Sequence, residues 1–345
     1  MAIVRGNDLV AKALKNEGVN TLFYLMGGPT DGILRESIKL GIHAIDVRHE
    51  QAAALAAQAW SRVTGQAGVC MGCSGPGTTN LVTGIANAFT DACPVVALGG
   101  SSLWRRHGWE DFQEIDQVAV MQPITKWADR VLEAKKIPEY INTAFRKAFG
   151  TRPGPVYLDL PGDVLYAKVE ESEVTYPPPA PPMPRNPGDP DLVKKAVELL
   201  QKAEHPVIVT GTGIIWSKAS SELQEFVELT GIPFFTTPQG RGVIPEDHPM
   251  ALLAARSLAF READVVLSIG TRPNWVISHF LPPRFSKGVK LIAVNTNPDD
   301  IGHVKPAEIG VVGDAKTVLK QLTEEAQGKL NPKKLASWVD KLRQK

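Results

Sequence analysis

The 345-residue chain is 43% hydrophobic and 22% charged, with a formal net charge of +1, an ordinary globular composition whose length suggests about two domains, each with its own core. Such balanced charge gives no footing for bulk association with nucleic acid or an anionic membrane. No stretch approaches the roughly 18 apolar residues that a membrane-spanning helix needs, and the opening MAIVRGNDLVAKALKNEGVN lacks the apolar run of a secretory signal.

Up to about residue 165 the chain alternates apolar, β-rich runs with helical patterns. The runs are TLFYLMG (21–27), HAIDV (43–47), AGVCMGC (67–73), PVVALGG (94–100) and PVYLDLP (155–161). Helical patterns lie at 8–17, 50–64 and 78–89. Strands alternating with helices predict a parallel sheet covered on both faces. Eight prolines then fall between Pro177 and Pro190. Proline lacks the N–H a helix needs, so this stretch reads as an extended crossing between domains. A second α/β block follows, with strands at 206–211, 232–237, 263–270, 289–295 and 309–314 and helices at 191–203, 218–230 and 315–325. Residues 331–345 read as a final amphipathic helix ending in solvent. The expected fold class is therefore α/β, two doubly wound parallel-sheet domains. The expected boundaries are 1–170 for the first domain, 171–190 for a proline-rich linker, 191–327 for the central domain and 328–345 for a C-terminal helix.

Cysteines are few, which suits a reducing cytoplasm. Cys70 and Cys73 have CxxC spacing but sit in an apolar run, with no His or Cys pair following. They read as small core residues, and no metal ligands are expected in this chain.

The chemistry-bearing residues cluster at strand-to-helix junctions. Glu50 follows HAIDV directly and opens a small-residue helix, at the strand end where open parallel sheets bind ligands. A helix-dipole role would also explain a glutamate there. Further on, Ser74-Gly75-Pro76-Gly77-Thr78-Thr79-Asn80 again joins a strand to a helix. Its glycines allow close backbone approach and its helix start presents free N–H groups, although Thr78 or Thr79 could simply cap the helix. Asn87 leads towards the next strand.

Taken together, RHEQAAALAAQAWSRVTG (48–65), SGPGTTNLVTGIANAFTDACPVVALGG (74–100), FQEIDQ (112–117) and GPVYLDLPGDV (154–164) resemble the pyrimidine-binding domain of thiamine-diphosphate enzymes. The resemblance implies that Glu50 hydrogen-bonds the cofactor's pyrimidine ring and favours its imino tautomer. The exocyclic nitrogen can then take the thiazolium proton. A carboxyl in a dry pocket suits this trade, because desolvation disfavours its charged form. By the same resemblance, Gly75, Pro76, Gly77, Thr78, Asn80 and Asn87 belong to the cofactor pocket.

In the second block, GTGIIWSKA (211–219), TTPQGRGVIPEDHP (236–249), AARSLAFREADVVLSIGTRPNW (254–275) and LPPRFSKGVKLIAV (281–294) are similar to the central domain of 2-hydroxyacyl-CoA lyases and oxalyl-CoA decarboxylases. That domain is then Rossmann-like and holds coenzyme A. Arg241, Arg256, Arg272 and Asn274 fall at or near the matching positions, and arginine's fork suits phosphate. Structural ion pairs are the alternative for each arginine. Asn295 stands where the family's strand usually ends in Asp; an amide bonds a ribose hydroxyl less strongly than a carboxylate, which weakens the case for ADP.

Phe112-Gln113-Glu114 resembles the lyases, where the decarboxylases have Tyr-Glu-Glu. The implied reaction is reversible cleavage of a 2-hydroxyacyl-CoA into formyl-CoA and an aldehyde or ketone. Phe112 and Gln113 would contact the substrate, and Gln113 would orient its oxygen. Alternatives are an oxalyl-CoA decarboxylase or acetolactate-synthase-like carboligase subunit, or a non-catalytic CoA- or nucleotide-binding module. The loop at 25–31 departs from the lyases' Gly-Ile-Pro, so acyl-chain preference does not carry over.

The family's Gly-Asp-Gly…Asn-Asn signature, which binds Mg²⁺ and the diphosphate, does not occur. The Gly-Asp pairs at 162–163, 188–189 and 313–314 never continue to glycine. With a polar final helix, LASWVDKLRQK, this favours a smaller separate subunit bearing the diphosphate-binding domain over the alternative, a chain cut short of that domain. The expected assembly is a cytoplasmic hetero-oligomer with at least two of each chain.

Overall fold

The apolar runs become parallel strands in the computed structural model, which describes residues 2–181 and 185–345. The chain divides into two units, Met1–Met183 and Pro184–Lys345. In the first the elements run β1 (Ile3–Arg5), α1 (Gly6–Asn16), β2 (Thr21–Tyr24), α2 (Asp31–Lys39), β3 (His43–Asp46), α3 (Glu50–Thr64), β4 (Gly68–Gly72), α4 (Pro76–Thr90), β5 (Val95–Ser101), α5 (Gln117–Met121), β6 (Ala128–Arg130), α6 (Ile137–Phe149), β7 (Val156–Pro161), α7 (Gly162–Tyr166) and β8 (Lys168–Glu170).

Six strands form one parallel sheet in the order β3-β2-β4-β5-β7-β6. β1 and β8 pair separately and antiparallel. From β2 the chain first steps outward to β3, then crosses back to β4 on the other side. Right-handed crossovers therefore put α2 and α3 on opposite faces and open a crevice beyond the carboxyl ends of β2 and β4. The sheet's cover on both faces explains why β4, β5 and β7 are buried throughout and mostly apolar instead of alternating.

The second unit holds α8 (Pro190–Lys202), β9 (Pro206–Thr210), α9 (Gly213–Ser217), α10 (Ser220–Thr230), β10 (Phe234–Thr236), α11 (Arg256–Glu262), β11 (Val265–Ile269), β12 (Lys290–Asn295), β13 (Ile309–Val312), α12 (Ala315–Ala326) and α13 (Ala336–Arg343). Its parallel sheet has the order β10-β9-β11-β12-β13, with the crevice beyond β9 and β11. One apolar cluster packs α8, α10 and α12 on one face; Phe260, Phe280, Phe285 and Trp338 build the other.

Several elements differ from the sequence expectation. The helix predicted at 78–89 starts at Pro76, because proline fits a first helical turn. The helix predicted at 218–230 starts at Ser220, because left-handed Lys218 ends a short helix before it, α9, which the sequence pattern did not mark. β6 has only three residues and no apolar run of its own. The first unit also continues past residue 170. Val174, Tyr176 and Ala180 pack on its core, and Asn142 donates to the Pro178 carbonyl. Of the proline-rich stretch, residues 182–184 lie outside the described residues. The last helix is anchored: Trp338 is buried and its indole N–H donates to the Pro206 carbonyl. Among the described residues no helix is long and apolar enough to cross a membrane.

Candidate functional site

Glu50 is the first residue of α3. The extended His49 caps the helix, its ring nitrogen accepting the Gln51 N–H. The Glu50 side chain is only 4% exposed. Its neighbours on α3, Ala53, Ala54 and Ala57, are fully buried, and α4 crosses them closely. A Cβ on Gly84 would lie 2.4 Å from that of Ala54, so only glycine permits this crossing. The close approach brings Asn80 to the carboxyl, where its amide donates to Oε2 at 2.9 Å. No protein hydrogen bond reaches Oε1 among the described residues. It faces Gly77, where a Cβ would stand 3.1 Å away. It is not among the fully enclosed side-chain atoms that lack a partner, so it borders the crevice, open to an incoming N–H donor. The cradle therefore fits a flat heterocycle with a ring nitrogen.

Cys73 stands at the end of β4 between Gly27 and Gly77. Burial, then the charge of Glu50, pushes its thiol up from its ordinary value. Cys70, wholly inside the sheet, is pushed up by burial to about 12. Among the described residues no three His, Cys, Asp or Glu side chains gather as a metal would require.

Gly75 makes the turn into α4 with φ 56° and ψ −106°, a backbone conformation that favours glycine. A Cβ there would lie 2.6 Å from the Gln113 carbonyl oxygen, so the loop carrying Gln113 rests on this turn. The Gln113 amide oxygen accepts the Ser74 hydroxyl at 2.9 Å, while Phe112 beside it is 84% exposed. Glu114 accepts the Gly108 and Asp111 backbone N–H groups, which hold its carboxyl below the usual range.

Beneath the turn lies a buried polar cluster. The Gly75 N–H donates to Gln117 Oε1 at 2.5 Å. Gln117 Nε2 is within reach of the Gly100 carbonyl (3.0 Å), the Tyr157 hydroxyl (2.9 Å) and Asp159 (2.6 Å). Asp159 also accepts from Ser101 and from Arg130. Burial first, then the charge of Asp159, holds the Tyr157 hydroxyl far above its ordinary value.

The structure thus gathers Glu50, Gly77 and Asn80, with Gly75 and Gln113 on the adjoining turn and Pro76 opening α4. Thr78 points into the sheet and donates to the Cys73 carbonyl. Asn87 is not brought to Glu50; two helical turns beyond Asn80, it donates to Gln58, tying α4 to α3. The sequence reading passed over Gln117, Tyr157, Asp159 and Arg130. Three of them lie in or beside quoted motifs, but polar residues in apolar strands signal burial without naming partners.

In the second unit the predicted residues do not form one cluster. Arg241 is exposed and grips both oxygens of Glu246, at 2.6 and 2.7 Å. Asn274 caps the turn after β11 by accepting the Val276 N–H. Arg272 lies in the loop between them. Arg256 lies over the Phe260 ring with Arg284, and its Nε and Nη2 are buried without a hydrogen-bond partner. Burial, then Arg284, lowers its pKa. The Asn295 amide oxygen accepts the Asn297 N–H within its own turn.

The three aspartates of the Gly-Asp pairs all serve local structure. Asp163 accepts the Trp104 and Arg105 N–H groups, Asp189 caps α8, and Asp314 caps α12 while accepting from Ser217. They do not fit a Mg²⁺ site.

Residues 4–120 match the family described as "Thiamine pyrophosphate enzyme, N-terminal TPP binding domain", and residues 193–322 match its "central domain". The chain belongs to the thiamine pyrophosphate (diphosphate) enzymes. It is 38% identical to a 2-hydroxyacyl-CoA lyase of Arabidopsis thaliana, across 99% of this chain and 61% of that one. It is 39% identical to a probable acetolactate synthase large subunit of Methanocaldococcus jannaschii, across 98% and 59%. With the oxalyl-CoA decarboxylase of Escherichia coli identity is 34%, across 93% and 57%. The chain therefore spans about three-fifths of the length of these relatives, and within the family it carries the N-terminal and central domains.

Proposed function

We propose that these residues form the pyrimidine- and CoA-binding part of a thiamine-diphosphate-dependent 2-hydroxyacyl-CoA lyase, which joins or separates formyl-CoA and an aldehyde or ketone. The observation that carries the reading is the Glu50 carboxyl, with one oxygen tied to Asn80 and the other left for a ligand. Bound thiamine diphosphate supplies the reactive carbon and electron sink for carbon–carbon cleavage.

The chain's residues do the rest. Asn80 fixes the orientation of the carboxyl. Glu50 Oε1 would share a proton with the cofactor's ring nitrogen, at a residue that packing against α4 leaves only 4% exposed. Gly75, Pro76 and Gly77 would line the ring's side of the pocket. Gln113 presents its amide to the substrate oxygen, with Phe112 covering it. In the second unit Arg256, with two N–H groups unmet, is the best placed cation for a CoA phosphate; Arg272 and Asn274 flank the same sheet end. Arg241 is weaker, because an anion would have to displace Glu246. On this reading residues 1–170 are the pyrimidine domain and 191–327 the CoA-binding domain. The diphosphate and its Mg²⁺ are held outside these residues, by a smaller partner subunit in a hetero-oligomer.

Relatives named as lyases support the substrate class. A carboligase acting on CoA-free 2-oxo acids is the second reading, favoured by the similarity to a probable acetolactate synthase. Native mass measurement with identification of every chain tests the partner. In the assembled enzyme Glu50→Gln should lower turnover about 10²–10⁴-fold; an unchanged rate would sink the proposal. Faster turnover of a 2-oxo acid than of any acyl-CoA would favour the carboligase.

A further inference from the structure

We propose that Gln117 is a positioning residue for the Glu50 site, clamping through one buried amide both the turn that opens α4 and the loop that carries Gln113. Gln117 is 1% exposed. Burying an amide is costly unless its donors and acceptor are all met, and an apolar side chain would fill the space without that cost. Here every polar atom is met, each by a different element.

The acceptor side takes the N–H of Gly75, the residue at the N-cap of α4. The donor side reaches Gly100 on β5 and Tyr157 and Asp159 on β7. Asp159 is held in turn by Arg130 from β6 and by Ser101. The turn is thereby fixed to the middle of the sheet.

Two functional groups depend on that turn. Gly77 and Asn80, on the first turns of α4, meet the two oxygens of Glu50. On the other side the Gln113 backbone abuts Gly75 and its side chain bonds Ser74, four residues before Gln117. If the amide lets go, the carboxyl loses its setting and Gln113 loses its support together. The consequence for catalysis rests on the thiamine-diphosphate reading; the clamp itself does not.

The test uses the 345-residue chain. Cys73 is half-buried beside Gly27 and Gly77, so its alkylation by iodoacetamide reports the position of the turn, with buried Cys70 and Cys93 as internal references. Gln117→Met removes both halves of the clamp. Gln117→Glu keeps the acceptor for Gly75 but, once ionised, sets a carboxylate against Asp159. We expect Gln117→Met to remain folded and to alkylate Cys73 about fivefold faster or more, the size of effect expected from losing one buried hydrogen bond. For Gln117→Glu, the rate relative to the parent at the same pH should climb as pH rises, because only the protonated acid can donate to Asp159. A merely space-filling side chain gives no such pH dependence. If Gln117→Met fails to fold, the Gln117→Glu ratio carries the test. A Cys73 rate unchanged in folded Gln117→Met, or a flat Gln117→Glu ratio, overturns the proposal. In the assembled enzyme kcat should fall with little change in KM for the acyl-CoA. If the thiol results hold but the enzyme proves independent of thiamine diphosphate, the functional reading fails and the clamp stands.

Discussion

The two sheets end in crevices of the same topological kind, yet their polar groups are in opposite states. In the first unit the polar cluster on β5, β6 and β7, which holds the turn beside the Glu50 crevice, is fully partnered. Gln117, Tyr157, Asp159, Arg130 and Ser101 satisfy one another, and Glu50 Oε1 is left open. Beyond β9 of the second, Thr210 Oγ1, Thr212 Oγ1 and Trp216 Nε1 are buried and unbonded, as are two nitrogens of Arg256 near β11. A saturated site is rigid and presents one group for chemistry. An unsaturated one carries a standing desolvation cost that a polar ligand can relieve.

The largest break in this contrast should come from removing Asp159. The residue is fully buried and faces Arg130. Asp159→Ala should cost about 3–5 kcal/mol, the usual range for stranding one member of a buried pair. The low end is expected, because Asp116 remains 3.6 Å from Arg130. Denaturant unfolding measures it, and a loss near zero would mean that the cluster is not saturated.

A smaller loss should follow Gly75→Ala. The new Cβ would stand 2.6 Å from the Gln113 carbonyl, on a backbone at φ 56°. Strain of this kind costs about 1–3 kcal/mol, and the loop should move, so Cys73 alkylation should change alongside stability. The opposite sign is expected in the second crevice. Arg256→Gln removes unmet buried donors, so stability should hold or rise slightly. Affinity for a CoA analogue should fall about tenfold, as when one charged hydrogen bond is lost. Arg241→Gln, which breaks only an exposed pair with Glu246, should leave both melting and affinity unchanged. If Arg241→Gln weakens binding more than Arg256→Gln, the assignment of the phosphate contact is reversed.

Much of the fold was legible in the residues. Apolar runs without alternation mean strands buried on both faces, and their spacing by helical patterns means parallel crossovers. β6 was not legible, because its three residues join the sheet only through pairing with β7. The anchoring of the last helix was hidden too, since a lone Trp338 in a polar segment gives no sign of the core that receives it.

The sequence by itself determined the family, the α/β class of both units and the candidacy of Glu50, since strand-end position and motif order are local properties of the chain. Only the tertiary structure decided which side chains meet. It put Asn80, not Asn87, on the Glu50 carboxyl, spent Arg241 on Glu246 while leaving Arg256 unmet, and turned the unremarked Gln117 into the support of the site. The physical reason is that hydrogen bonds between distant segments depend on how closely helices cross and which strands adjoin. Those distances are set by the packing of the whole unit, and no local pattern encodes them.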